Sequence, residues 1–363
     1  MVIDRVKSVV HLNNLLDNYN LLRKIYGGKE IYAVVKADAY GHGAIECSRF
    51  LEKNNCKHFA VTALKEAIEL RNNGITSEIL IFGYTDCLNV RLIDEYNLVQ
   101  TVHSFDYANK LNSYGKKINI NLNIDTGMSR FGIYLHDELD ILNVKEEIKK
   151  IAALDNICIK GIYTHFTSSE SDRDFTLFQK KLFDKLLISL EENKISYGKT
   201  HIANSSAIIG LHDLNYDLAR SGIALYGYPP IKSKERFKPV LELYARVIQL
   251  KDLKAKDTVS YGRTFLVEKD MRIATVAIGY ADGYSRHFSN NDYFVYKGYK
   301  LRVLGRVCMG LTMIDVTSVP IEEGDWVEVF GLNKPLEDMA ERIGTITYEL
   351  LTNLAKPRMN RVY

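Results

Sequence analysis

The stretch IYAVVKADAYGHGAIECSRFLEKN, residues 31–54, decides the fold. Its first seven residues, IYAVVKA at 31–37, are mostly β-branched, aromatic or small, which suits a short strand buried on both faces. A polar segment punctuated by Gly41 and Gly43 ends that run, and GAIECSRFLEKN then carries a helical pattern. A buried strand that hands over to a helix is the repeating half of a parallel sheet.

Outward from this unit the same texture recurs. Seven further β-rich runs follow: HFAVTAL at 58–64, EILIFGY at 78–84, LVQTVH at 98–103, INLNID at 120–125, CIKGIYTHF at 158–166, THIAN at 200–204 and SGIALYG at 221–227. Helical patterns such as KEAIELRNN, DELDILNVKEEIKKIAALD and FTLFQKKLFDKLLISLEEN lie between most of them. Eight strand and helix units predict an α/β fold, a (β/α)8 barrel of the TIM type. After Pro229 and Pro230 the helical period gives way to alternating runs, LELYARVIQL, RIATVAIGYA, YFVYKGYKLRVLGRV and DWVEVFG, broken by Gly, Asp and Asn. That texture predicts a mostly antiparallel β domain. The expected division is a barrel over 1–232 and a β domain over 233–363.

Composition narrows the class of function. The 363 residues carry 48 Lys and Arg against 45 Asp and Glu, and a formal charge of +3 gives no reason to invoke nucleic acid or a membrane surface. The expected partner is a small molecule. Five widely spaced cysteines without a CxxC pair read as neither a disulfide framework nor a zinc site, so no metal is expected and a reducing compartment is. No apolar run reaches the roughly 18–20 residues that span a bilayer, and MVIDRVKS lacks a signal peptide's apolar core. The expectation is a cytoplasmic protein, or the cytoplasmic domain of a membrane protein.

In a parallel barrel, reactive groups gather at the carboxyl ends of the strands. Lys36 stands at the end of the first run, Asp125 to Arg130 follow the fifth, His165 the sixth and Asn204 to Ser206 the seventh, while Arg220 and Gly222 lead into the eighth. A lysine at the end of an apolar strand loses solvation, which favours the free amine and makes imine chemistry available. On position alone, Lys36 is equally suited to reach the barrel rim or to pair with Asp38.

The segment VVKADAYGHGA around Lys36 closely resembles the cofactor-lysine segment of alanine racemases. NIDTGMSRFGI, THF, ANSSA, ARSGIALYG, TVSYGRTF, IGYADGYSR and GRVCMG continue the resemblance in the family's order along the whole chain. The resemblance implies a racemase that depends on pyridoxal 5'-phosphate, a homodimer with active sites shared between subunits, and a product used in cell-wall precursors. It makes Lys36 the Schiff-base lysine and one of two catalytic bases, and it assigns Tyr261, supplied by the neighbouring subunit, as the other. Two bases are what proton transfer on both faces of the α-carbon requires. A phenol titrates near 10 and needs neighbours to act at neutral pH; Arg263 and His165 are the candidates. Tyr40, Asn204, Ser205 and the backbone at Gly222 and Ile223 are implied to hold the cofactor phosphate. Arg220 is implied to face the pyridine nitrogen, and His165 to support Arg220 or to stack near the ring; a guanidinium only donates, so that nitrogen stays unprotonated and side reactions such as transamination are restrained. Arg130 and the backbone of Met309 are implied to take the substrate carboxylate, with Tyr280 and Tyr284 at the entrance. Tyr348 reads more simply as a core aromatic of the β domain.

Three positions depart from the family pattern. Gly310 stands where Asp usually follows CysMet, Asn123 where many members have a lysine that helps to place the arginine, and Lys356 and Pro357 where some have a tyrosine. The expectation from Gly310 is extra room beside the substrate, so that serine competes with alanine, as in the serine racemases of vancomycin resistance, and Gly310→Asp harms serine. Asn353 or Asn360 would then bond the serine hydroxyl. Two other readings share a lysine-bearing barrel. A barrel decarboxylase of basic amino acids is opposed by TyrGlyArgThr at 261–264, and a non-enzymatic barrel that binds the same cofactor is opposed by the second domain.

Overall fold

A computed structural model describes residues 4–211, 214–354 and 360–363, and of Asn360 the backbone alone. The chain divides into two compact units, one of Leu15–Ala39 and Ala44–Lys238, the other of Met1–Asn14, Tyr40–Gly43 and Pro239–Tyr363. The division near 238 falls six residues beyond the one expected at 232, and the first fourteen residues group with the β unit.

Within the first unit, eight strands close a parallel barrel: β2 (Glu30–Val34), β3 (His58–Val61), β4 (Glu78–Ile81), β5 (Val99–Val102), β6 (Ile118–Asp125), β8 (Ile157–Thr164), β9 (Lys199–His201) and β10 (Leu218–Ser221). Pairing of β10 with β2 and of β5 with β6 closes the ring, and a short β7 (Ile133–Tyr134) hangs on β6. β1 (Val6–Val10) lies in the other unit. Strands such as β3 and β5 are buried at every position, as strands covered on both faces require. The helices fall where the periodicity puts them, for instance Ala44–Lys53, Leu64–Asn72 and Arg173–Glu192, the last capped by the Asp172 carboxylate accepting from Phe175 N–H at 3.0 Å.

The eighth strand is displaced from its expected place. It covers Leu218–Ser221, and the apolar run Ile223–Tyr226 is a 3-10 turn that ends in left-handed Gly227. A short apolar run looks alike as strand or buried helical turn. Arg220 therefore lies inside the strand, not at its entry.

In the second unit, the long strand Leu241–Leu253 pairs antiparallel with β1, with Trp326–Phe330 and with Met271–Val276. Two helices, Leu336–Ile343 and Thr347–Leu354, accompany the sheet. Among the described residues no helix is long and apolar enough to cross a membrane.

Candidate active site

Lys36 lies two residues beyond the end of β2, in phase with Tyr32 on alternate positions. The backbone then turns the wrong way for L-residues: Ala37, Asp38, Ala39 and Tyr40 all have φ between 52° and 54°. Four successive left-handed residues without a glycine store strain, and such strain gathers at functional sites. Side chains hold the turn from both ends, with Ala37 N–H donating to Glu66 Oε1 at 2.6 Å and Ala44 N–H to Asp38 Oδ1 at 2.8 Å. Asp38 is thus engaged in the turn. Among the described residues Lys36 has no hydrogen-bond or ion-pair partner, and burial, with the Arg130 guanidinium second, holds its amine below the ordinary lysine value.

Arg130 is set by the loop after β6. Asp125 gathers the N–H groups of Gly127 and Ser129, each at 3.0 Å, and that of Arg130 at 3.2 Å, with His136 Nε2 at 3.2 Å. Burial raises the Asp125 carboxyl, but these donors outweigh it and hold it below the usual range. The Arg130 side chain is exposed. Asn123, at the position where many members have a lysine that helps to place the arginine, donates to the Phe131 carbonyl at 2.7 Å, fixing the loop rather than the side chain.

Arg220 is buried on β10. Its Nη1 donates to His201 Nδ1 at 2.7 Å and to the His201 carbonyl at 2.8 Å; its Nη2 donates to the carbonyls of Thr164 at 2.7 Å and Ile202 at 3.1 Å, and to His165 Nδ1 at 3.2 Å. Among the described residues no carboxylate pairs with it, and burial lowers it to about 10. Its Nε–H meets no protein acceptor among those residues, so one donor remains for a ligand. His165 accepts from a group that can only donate, so the proton of the neutral ring sits on Nε2. Burial, then Arg220, Arg130 and Lys36, hold His165 far below the usual histidine range. The same logic fixes His201: its Nδ1 accepts, so Nε2–H points at the Asn121 amide 3.1 Å away, and the amide oxygen must face it. His201, Asn121 and Tyr163, stacked on His201 at 4.8 Å, were not singled out from sequence. A histidine on the strand beside that of Arg220 was the available signal.

At the mouth of the same barrel, Asn204 caps the turn Ser205–Gly210 by accepting from Ala207 N–H at 3.0 Å. Gly222 N–H donates to the Ser205 hydroxyl at 3.2 Å, which also lies 3.2 Å from the Ser221 hydroxyl. Ser205, Gly222 and Ile223 thus converge at the start of two turns, and helical turn starts present N–H groups that favour an anion. An unpartnered, desolvated lysine, an uncommitted guanidinium N–H and this cluster of anion donors fit an aldehyde cofactor with a ring nitrogen and a phosphate.

In the second unit, Tyr40 is buried and its ring lies 6.1 Å from that of Tyr348. Burial, then Tyr348, pushes the Tyr40 hydroxyl well above 10. Tyr348, read as a core aromatic of the β domain, sits in that unit on the helix Thr347–Leu354 and is half-buried rather than core. Tyr261 is 71% exposed, presented by a turn in which Ser260, Gly262 and Arg263 all have positive φ. Arg263 Nε donates to Thr258 Oγ1 at 3.3 Å. Tyr280 and Met309 are exposed on adjoining segments, zipped by Tyr280 N–H to the Cys308 carbonyl at 3.0 Å and Ala281 N–H to the Met309 carbonyl at 2.8 Å.

Two expectations are corrected here. Tyr284, expected at an entrance, is completely buried and donates to Asp292 Oδ2 at 2.6 Å, because its ring packs on Phe288 and Phe294. Gly310, expected to open space beside a substrate, directs its missing side chain at Arg5. Lys356 and Pro357 lie outside the described residues, as does the side chain of Asn360.

Residues 10–230 match the family model of the alanine racemase N-terminal domain, and 240–363 that of the C-terminal domain. The chain is 40% identical to alanine racemase 1 of Clostridium acetobutylicum, over 99% of this chain and 95% of that one. An alanine racemase structure from Clostridium difficile superposes with a TM-score of 0.92 at 33% identity, covering 100% of this chain and 96% of that one. One from Bartonella henselae, with covalently bound pyridoxal phosphate, gives 0.88 at 28% identity, covering 99% and 100%.

Proposed function

We propose, from the premise that this chain belongs to the alanine racemase family, a residue-by-residue account of how it interconverts L- and D-alanine with pyridoxal phosphate. The observation that carries it is Lys36, a desolvated amine at the carboxyl end of a barrel strand with no partner among the described residues. When bound, the cofactor supplies an aldehyde for the amine and an electron-withdrawing ring that acidifies the α-carbon.

The remaining work belongs to the chain. Lys36 holds the cofactor and moves a proton on one face of the α-carbon; its depressed basicity favours the free amine, the form that acts as a base. Tyr261 serves the other face, and its exposure supports a role toward the neighbouring subunit of a homodimer. Arg220 keeps the ring nitrogen unprotonated through Nε–H, and His165, neutral and accepting at Nδ1, braces that guanidinium. Ser205, with the amides of Gly222 and Ile223, takes the phosphate; Asn204 shapes their turn, and Tyr40 donates a phenol proton to the same group. Arg130 takes the substrate carboxylate as a planar fork, with the Met309 backbone beside it and Tyr280 at the entrance.

The test is conversion of L-alanine to D-alanine by purified protein with added cofactor, alongside the visible band near ~420 nm that a lysine-bound cofactor gives. Lys36→Ala should abolish both. A colourless protein, inactive with cofactor present, would refute the account.

A further inference from the structure

Arg220 is a buried cation among neutral acceptors, and a buried cation needs help to keep one orientation. The support continues down the barrel interior, away from Lys36. His201, which accepts from Arg220, is gripped between Tyr163 on one side, stacked at 4.8 Å and 14°, and Tyr32, tilted at 5.2 Å. Tyr32 is the register neighbour of Arg220 on the adjoining strand. Its hydroxyl donates to Glu78 Oε1, and its ring also packs edge-on to His58 at 5.1 Å. His58 is in turn tied between two carboxylates, Nδ1 at 3.3 Å from Glu78 Oε1 and Nε2 at 2.6 Å from Glu30 Oε2. Glu30, His58 and Glu78 are the first residues of their strands, so this cluster sits at the amino end of the barrel, opposite the reactive end.

We propose that Tyr32 and Glu78, anchored by His58, are positioning residues for Arg220. Glu78 fixes the Tyr32 hydroxyl, Tyr32 fixes the His201 ring, and His201 keeps its Nδ1 toward the guanidinium. Nη1 and Nη2 are thereby spent on the barrel wall and Nε–H is left for the ligand. A cluster that merely sealed the barrel floor would have no need of a tyrosine in contact with the histidine that Arg220 uses.

The inference rests on Arg220 standing at the ring nitrogen, so the experiment reads both. Arg220→Lys, Tyr32→Phe and Glu78→Gln are compared as holoenzymes for the visible band of the bound cofactor, the ratio of transamination to racemisation on D-alanine, and kcat and KM. Arg220→Lys should shift the band and raise the ratio. Tyr32→Phe and Glu78→Gln should move both in the same direction, with the ratio up about ten-fold, the scale of one disturbed hydrogen bond to a charged group. KM for alanine should stay within about two-fold, because the change acts on the transition state. If Arg220→Lys moves the band and ratio while the other two leave them at wild-type values and only lower Tm, the relay is refuted. If Arg220→Lys moves neither, the reading of Arg220 fails instead. Should Glu78→Gln not fold, Tyr32→Phe, which keeps the ring and its packing, decides alone.

Discussion

A Cβ added to Gly310 would stand 3.2 Å from Nη1 of Arg5, whose Nη2 already donates to Asp282 Oδ1 at 3.0 Å. Asp282 is buried, and its other oxygen accepts from Gly279 N–H at 3.0 Å, at the base of the turn that presents Tyr280. Position 310 is therefore linked to the Tyr280 turn through Arg5. Arg5→Ala leaves a buried carboxylate without its cation and should cost about 1–3 kcal/mol, read as a lower Tm, with a higher KM for alanine. Gly310→Asp sets a second carboxylate on the half-exposed Arg5 and should change stability by less than about 1 kcal/mol. Its serine-to-alanine ratio of kcat/KM should stay within about two-fold, since the new group meets Arg5 first. A ten-fold fall in that ratio would return the position to the substrate pocket.

The depressed basicity of Lys36 predicts how the apoenzyme captures its cofactor. The free amine reacts, so capture should accelerate as pH rises through the Lys36 pKa, which lies below the ordinary 10.5. Burial contributes most to the depression and the charge of Arg130 next. Removing that charge with Arg130→Gln should move the profile to higher pH and slow capture at neutrality. The check is the rate of growth of the visible band against pH; an unmoved profile means that Arg130 does not act on Lys36.

The barrel was legible because seven of its strands are apolar runs flanked by helical periods, and Lys36, Arg130 and Ser205 follow such runs directly. What stayed hidden has physical causes. Ile223–Tyr226 is as apolar as a strand, so the real eighth strand, Leu218–Ser221 with a buried arginine, was passed over. β1 pairs with Leu241–Ala245, more than two hundred residues away, a pairing that no local pattern announces. His201 and Asn121 look like ordinary strand residues until Arg220 is placed between them. The direction of a missing side chain, as at Gly310, exists only in three dimensions.

The left-handed turn after Lys36 should be relaxed by glycine. Ala37 is exposed at φ 52° and ψ 51°, where a Cβ costs roughly 1–2 kcal/mol and glycine costs little. Glycine also adds freedom to the unfolded chain, about 0.5–1 kcal/mol, so Ala37→Gly should stabilise by at most about 1 kcal/mol. The same freedom loosens the link next to Lys36, so kcat should fall while KM is held. Melting curves and steady-state kinetics test both halves; a destabilised protein would show that the turn is not under strain.

Tyr261 is presented to solvent on a turn whose Ser260, Gly262 and Arg263 all have positive φ, as a residue that serves the neighbouring subunit of a dimer must be. If each active site joins Lys36 of one chain to Tyr261 of the other, Lys36→Ala and Tyr261→Phe are each inactive alone but defective in different halves of the site. Mixing them under subunit exchange yields heterodimers in which one site carries both lesions and the other carries none. With random exchange about half of the dimers are mixed, and each restores one of two sites, so activity should recover to roughly a quarter of wild type. Native mass spectrometry of the two variants verifies exchange, and D-alanine formation reads the recovery. Proven exchange without recovery would place both bases in one chain and overturn the shared site.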